Sequence, residues 1–157
     1  MIRGAQSGFT FVEILVVTVV LLILASAALP LTRVTIQRQK ETDLRRSLRE
    51  MRTAIDKFKD AADLGRIPGT ELRPGNEGYP ATLDLLVEGV PMAGDATGKK
   101  LKLLRRIPID PITGQAEWGL RSYQDRADST SWGGENVYDV YSLANGTGLD
   151  GTRYADW

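Results

Sequence analysis

Residues 8–31 have the sequence GFTFVEILVVTVVLLILASAALPL. The 23 residues from Phe9 to Leu31 contain one charged side chain, Glu13, and only eight residues precede them. At about 1.5 Å of rise per residue, a helix of this length is long enough to cross a hydrocarbon core of about 30 Å. The pattern therefore predicts a membrane-spanning helix at the N-terminus.

Three interpretations of this segment compete. It is typical of a secretory signal peptide, with a small-residue cleavage pattern at Ala25-Ser26-Ala27, and it is also typical of a simple transmembrane anchor. In the third interpretation, a leader is cut off at Gly8, ahead of the apolar stretch, so that the stretch stays in the mature protein.

The carboxylate of Glu13 favours the third interpretation. An ionised group inside an apolar helix costs about 2.5 to 3.5 kcal/mol on insertion scales, and a disposable signal peptide or a passive anchor has no use for it. If the chain is cut after Gly8, Phe9 becomes the N-terminus and carries an amine close to Glu13. The two opposite charges can then pair, either within one chain or between neighbouring chains.

The run Gly8-Phe9-Thr10-Phe11-Val12-Glu13, followed by the apolar stretch and Pro30, resembles the class III signal of type IV pilins and type II secretion pseudopilins. The resemblance implies that a prepilin peptidase cuts after Gly8 and methylates Phe9. It also implies that Glu13, with Thr10 beside it in the motif, meets the N-terminal amine of an adjacent subunit during assembly.

Three later segments are similar to segments of the major pseudopilin of type II secretion, the general secretion pathway G family. They are Gly78-Tyr79-Pro80-Ala81-Thr82-Leu83, the run from Arg106 to Gly114, and Val137-Tyr138-Asp139-Val140-Tyr141-Ser142-Leu143. The resemblance thus covers essentially the whole chain, and it is strongest at the N-terminus.

Hydrophobic periodicity predicts an α+β fold with a long N-terminal helix. Apolar residues spaced by three and four predict that the helix continues to about residue 64, with a buried stripe of Leu44, Leu48, Met51, Ile55, Phe58 and Ala62. Pro30 should kink or locally melt the helix rather than end it. A short helix over 82–87, a loop over 91–98, and strands over 119–123 and 137–143 joined as a hairpin complete the prediction.

These elements and the resemblance together define the predicted domain organisation. Residues 1–8 are the leader, 9–31 the transmembrane or filament-core half of the helix, and 32–64 its amphipathic half. Residues 65–157 form a globular periplasmic domain with a small antiparallel β-sheet and a C-terminal loop. The expected fold class is α+β and type IV pilin-like.

The composition excludes most enzyme designs. The chain contains no Cys and no His, which removes thiol nucleophiles, Ser-His triads and the usual zinc sites. Its 20 basic and 20 acidic side chains give no basic excess, so no nucleic-acid partner is expected. The basic cluster of Lys99, Lys100, Lys102, Arg105 and Arg106 favours a solvated face or salt bridges between subunits over nucleic-acid binding, which remains the alternative for this cluster. We predict that the protein is not an enzyme.

The C-terminal stretch SLANGTGLDGTRYADW is the one candidate metal site in the sequence. Oxygen ligands from Asn145, Asp150 and Asp156, with carbonyl groups of the Gly-rich loop, suit Ca²⁺. The resemblance also implies a calcium-binding loop here, although Asn145 stands where the family more often has Asp. The alternative is a turn-rich terminus in which these side chains cap their own backbone.

The leading functional hypothesis is a structural subunit that forms a homopolymer, a helical periplasmic filament that drives protein export. Its implied partners are the prepilin peptidase, minor pseudopilins and the inner-membrane assembly platform. The implied location is the bacterial inner membrane, single-pass, with the C-terminal domain in the periplasm, although the basic residues after the apolar stretch would by themselves favour the cytoplasm. A type IV pilus subunit is one alternative, and a membrane-tethered enzyme or ligand-binding domain is another.

Overall fold

A computed structural model describes residues 8–95 and 97–157, without the side chains of residues 27–32. The first helix, α1, spans Phe11–Asp63, so the predicted start at Phe9 is two residues early. Its C-terminus is a Schellman motif, in which Gly65 has a φ of 65° and Arg66 N–H donates to the carbonyl of Ala61 at 2.9 Å. The predicted helix stop at Leu64-Gly65 is therefore confirmed to within one residue.

The helix does not end at Pro30, as predicted. Its backbone stays helical through that position, so the predicted local melting is not observed. The side chain of Pro30 lies outside the described residues. Among the helices that the structure describes, none has a stretch both long and apolar enough to cross a membrane. The chain forms two compact units, one that extends to Arg38 and one that spans Gln39–Trp157.

The second unit contains the hydrophobic core. The predicted stripe on α1 is buried there, because Leu44, Leu48, Met51, Ile55 and Phe58 are each no more than 2% exposed, while Ala62 is partly buried. The stripe packs with side chains from later in the chain, namely Ile67, Leu86, Val90, Leu104, Trp118, Val137, Val140 and Tyr154. Burial of this apolar face stabilises the unit at about 25 cal/mol for each Å² removed from water.

Two strands in the second half of this unit form the predicted hairpin. Strand β3 spans Trp118–Arg121 and strand β4 spans Asp139–Ser142, and they pair antiparallel with Gly119 opposite Tyr141. The β-branched and aromatic residues in this region are typical of such strands. A 3₁₀ turn, Tyr154–Asp156, follows near the C-terminus.

The short elements before the hairpin differ in detail from the prediction. Helix α2 spans Asp84–Glu88, two residues later than its predicted start. The predicted loop over 91–98 is flanked by a two-stranded antiparallel sheet of Val90–Pro91, β1, and Lys100–Leu101, β2. Strands of two residues have no alternation pattern, so the sequence offers no signal for them. Pro91 fits there because this small sheet has only edge strands.

The three segments that resemble the pseudopilin family meet in the fold. Asp110 is fully buried and its carboxylate accepts a hydrogen bond from the Ser142 hydroxyl at 2.6 Å, which joins the second segment to the third. The carbonyl of Pro80 accepts the backbone N–H of Val137 at 2.8 Å, which joins the first to the third. A buried carboxylate needs such donors, so these contacts explain why polar residues occur inside the core.

Candidate functional site

The N-terminal segment of α1 begins with a capped turn. The Thr10 hydroxyl oxygen accepts the backbone N–H of Glu13 at 3.3 Å, so Thr10 is the N-cap residue of a helix that begins at Phe11. The Thr-x-x-Glu pattern of residues 10–13 is the sequence signal for this cap. Glu13 lies in the first turn, where the helix dipole favours a negative charge.

The surface of the first unit between Phe9 and Leu24 is almost entirely apolar. Thirteen large apolar side chains between Phe9 and Leu24 are each at least 47% exposed. Soluble proteins rarely expose contiguous apolar patches larger than a few hundred Å² unless a partner or a lipid covers them. This segment must therefore be covered in the working state of the protein.

Glu13 is the one carboxylate on that apolar surface. It lines a shallow cavity of about 230 Å³ with Phe9, Ile14, Val17 and Thr18. In the part of the chain that the structure describes, no cation forms an ion pair with Glu13. Phe9 and Glu13 thus line the same cavity, and the carboxylate is available for a charge from outside the described residues.

Gly8 precedes this helix and is exposed. The predicted cleavage between Gly8 and Phe9 therefore falls in non-helical backbone just outside α1. The predicted leader comprises residues 1–8, of which only Gly8 is among the described residues. Processing stays a prediction of the sequence.

The three predicted calcium ligands lie in the C-terminal loop of the second unit. Asn145 is exposed on the surface. Asp150 pairs with Arg45, with Nη2 2.7 Å from Oδ2, and its other oxygen accepts the hydroxyl and backbone N–H of Thr152. Asp156 pairs with Arg153 at 2.8 Å. These bonds lower the pKa of both carboxyl groups, chiefly through Thr152 and Arg153 respectively.

This arrangement does not fit a calcium ion. Asp150 and Asp156 line a cavity of about 570 Å³ whose walls also carry four guanidinium groups, those of Arg45, Arg49, Arg52 and Arg153. The described residues contain no group of three or more His, Cys, Asp or Glu side chains that could hold a metal. A cation would have to displace two arginines from their carboxylates. Calcium binding stays a prediction of the sequence.

The loop is held on α1 by side chains instead. Glu41 is 8% exposed and accepts hydrogen bonds from the backbone N–H of Leu149 at 2.9 Å and from the Tyr154 hydroxyl at 3.1 Å. Arg45 stacks over the Trp157 ring at 4.0 Å. No local sequence pattern marks these residues as a group, since the residues that contact each other are more than 100 positions apart.

Comparison with known proteins identifies the family. The model of the prokaryotic N-terminal methylation motif matches residues 3–29. The chain is 31% identical over 155 residues, covering 95% of its own length and 87% of the relative's, to the type II secretion system core protein G of Pseudomonas aeruginosa. No solved structure matches the chain. The chain therefore belongs to the type II secretion core protein G family, the major pseudopilins of the type IV pilin-like superfamily.

Proposed function

We propose that this chain is the major structural subunit of a type II secretion pseudopilus. It polymerises into a helical periplasmic filament that drives the export of folded proteins across the outer membrane. The observation that supports this function is the exposed apolar surface of Phe9 to Leu24, interrupted by the single carboxylate of Glu13. A filament core covers such a surface with the same surface of neighbouring copies.

Assembly begins with processing. A prepilin peptidase cuts after Gly8 and methylates the new amine of Phe9, and the apolar helix lies in the inner membrane with the second unit in the periplasm. The amine of one subunit then pairs with Glu13 of its neighbour. Burying charges in an apolar core costs desolvation, and the attraction between the two charges offsets that cost only when both are present. The pair therefore sets the register between copies rather than adding affinity.

The partners of this process follow from the same family. They are other copies of the chain, the prepilin peptidase, minor pseudopilins and the inner-membrane assembly platform. No catalytic role is part of the proposal, because the chain has no His and no Cys, and the buried Glu41 and the paired Asp139 and Asp150 hold the fold together.

The intact mass of membrane-extracted protein tests the processing step. A 149-residue chain that begins with methylated Phe9 is expected. A chain that begins at Ser26 or later, or one that keeps Met1, would reject the proposal.

Substitution of Glu13 tests the assembly step. Glu13→Ala is expected to insert in the membrane but to assemble poorly, because the amine of the neighbour loses its partner. Thr18→Ala is the matched control, since Thr18 lines the same cavity and its hydroxyl donates to the Ile14 carbonyl of its own helix at 2.8 Å. Equal assembly of the wild type and Glu13→Ala would indicate that the helix is a passive anchor.

A further inference from the structure

A basic groove runs along α1 in the second unit. Two adjoining cavities of about 490 and 450 Å³ share Arg46 and Glu50 in their lining. The basic side chains of this groove are Arg46, Arg49, Lys57, Arg105 and Arg106, against the two carboxylates of Asp43 and Glu50. Within the described part of the chain, none of these five cations forms an ion pair.

The basic groove also contains apolar surface. Ile109 is 59% exposed in its wall, and Leu103 is partly buried in its floor. Arginine beside exposed apolar surface is enriched at protein interfaces, whereas a merely solvated face needs no apolar component. The groove therefore has the composition of a docking surface for an acidic protein segment.

The acidic loop of this chain, residues 123–135, has the complementary composition. It contains Asp125, Asp128 and Glu135 against one cation, Arg126, which pairs with Asp128. The carboxylates of Asp125 and Glu135 converge over Gly133, where a Cβ would collide with both. In the described part of the chain, neither of these two carboxylates has a cationic partner.

The acidic loop is ordered and presents aromatic rings. Asp125 accepts the backbone N–H groups of Ser122 and Gly133 at 2.7 and 3.0 Å, and these bonds lower the pKa of its carboxyl group. Tyr123 is 56% exposed and Trp132 is 41% exposed. An exposed aromatic ring can stack on a guanidinium of a partner, so the loop offers arginine two kinds of contact.

We propose that the acidic loop of one copy of this chain binds the basic groove of the next copy. The contact joins two different surfaces, so it is heterologous and does not close on itself, as a filament requires. This inference rests on the proposed function. It adds a contact between the second units of neighbouring copies, separate from the contacts that their apolar helices make. Charge complementarity would set the orientation of neighbouring copies.

Charge reversal in the full-length protein tests this contact. Arg106→Glu alone and Glu135→Arg alone are each expected to reduce filament yield about tenfold, because each places like charges together. The double variant Arg106→Glu/Glu135→Arg is expected to recover wild-type yield. Lys99→Glu and Glu117→Arg are the matched controls, since they make the same charge changes at exposed residues outside the groove and the loop.

Cysteine cross-linking gives a second, direct measurement. The chain has no native Cys, so introduced thiols are the only ones present. Arg106→Cys and Glu135→Cys, expressed together as separate chains, should give a disulfide-linked dimer on oxidation in assembled filaments. Either variant expressed alone should give none.

The outcomes separate this inference from the proposed function. If the wild type forms no filaments, the proposed function fails. The inference is overturned if filaments form and neither single reversal lowers their yield. It is also overturned if both reversals lower the yield, the double variant does not restore it, and no mixed dimer appears. In both cases the proposed function stands. A loss with Arg106→Glu but not with Glu135→Arg would identify the groove as the site of a different acidic partner.

Discussion

Arg52 on α1 and Asp139 on β4 form an ion pair across 87 residues of sequence, with Nε 2.7 Å from Oδ1. Nη2 of Arg52 also donates to the carbonyl oxygens of Val140 and Trp157 at 3.0 and 2.7 Å. The guanidinium group of Arg52 thus links the helix to the hairpin and to the C-terminal loop by hydrogen bonds. Arg121 pairs with the same carboxylate from β3 at 3.4 Å.

Removal of Arg52 should therefore destabilise the second unit. Arg52→Ala leaves Asp139 and two carbonyl groups short of donors, and we expect a loss of about 2 to 3 kcal/mol in the free energy of unfolding. The loss can be measured by denaturant unfolding of a soluble fragment that begins at Thr32, because this fragment contains every residue of the core. Arg49→Ala, the exposed arginine one turn earlier, should change it by less than about 0.5 kcal/mol.

Glu41 and Tyr154 should be energetically coupled. Glu41→Ala and Tyr154→Phe each break the 3.1 Å hydrogen bond, and Glu41→Ala also frees the Leu149 N–H. A double-mutant cycle on the same fragment should give a coupling energy of about 1 kcal/mol. Strict additivity of the two losses would show that the C-terminal loop is not held through this contact.

Glycine is required at position 119 because the ring of Tyr141, on the opposite strand of the hairpin, lies against its Cα. A Cβ at Gly119 would overlap the ring of its partner Tyr141, over which Arg121 stacks at 4.1 Å. Gly119→Ala should lower the free energy of unfolding by about 1 to 3 kcal/mol through overpacking. Gly69→Ala is the control, since a Cβ there meets nothing within 4 Å. Equal melting temperatures for the two variants would contradict the packing described.

Asp150 should make stability depend on pH. Its pKa is lowered from 3.8, first by the Thr152 hydroxyl and backbone bonds and then by Arg45. A carboxyl group with a lowered folded-state pKa stabilises the fold above its unfolded pKa, and the contribution is lost as the pH falls through the folded pKa. Asp150→Asn should melt below the wild type at pH 7, and the difference should shrink as the pH falls below about 3.8 and vanish once the pH is below the lowered folded-state pKa. A difference in melting temperature that is the same at acid pH as at pH 7 would show that the Asp150 carboxylate does not stabilise the fold in this way.

Calcium provides the sharpest test of the C-terminal loop. Because arginines occupy the carboxylates of Asp150 and Asp156, we expect chelation to leave the melting temperature of the Thr32 fragment unchanged. A ligand that binds only the folded state raises stability, so a fall on chelation would establish the calcium site that the sequence predicts. Magnesium in place of calcium serves as the control for ionic strength.

Local signals made much of this protein predictable from its sequence. The helix is set by the apolar run from Phe9, the periodic stripe from Leu44 to Phe58 and the stop at Gly65, and each depends on residues within one or two turns. The assembly motif around Glu13 is likewise contiguous. Patterns of this range survive in a linear sequence because backbone geometry fixes their period.

Contacts between distant segments were decided only by the tertiary structure. The basic cluster near Lys99 appeared in the sequence as one group, yet the fold places Arg105 and Arg106 beside Arg46 of α1. In the same way, Arg45 reaches Asp150 across 105 residues, so one of the expected calcium ligands pairs with an arginine of α1. Such pairs depend on the path of the loops that bring distant segments together, and no local periodicity in the sequence encodes that path. The sequence determined which side chains are available. The packing of the hairpin and the C-terminal loop on α1 determined which of them are in contact.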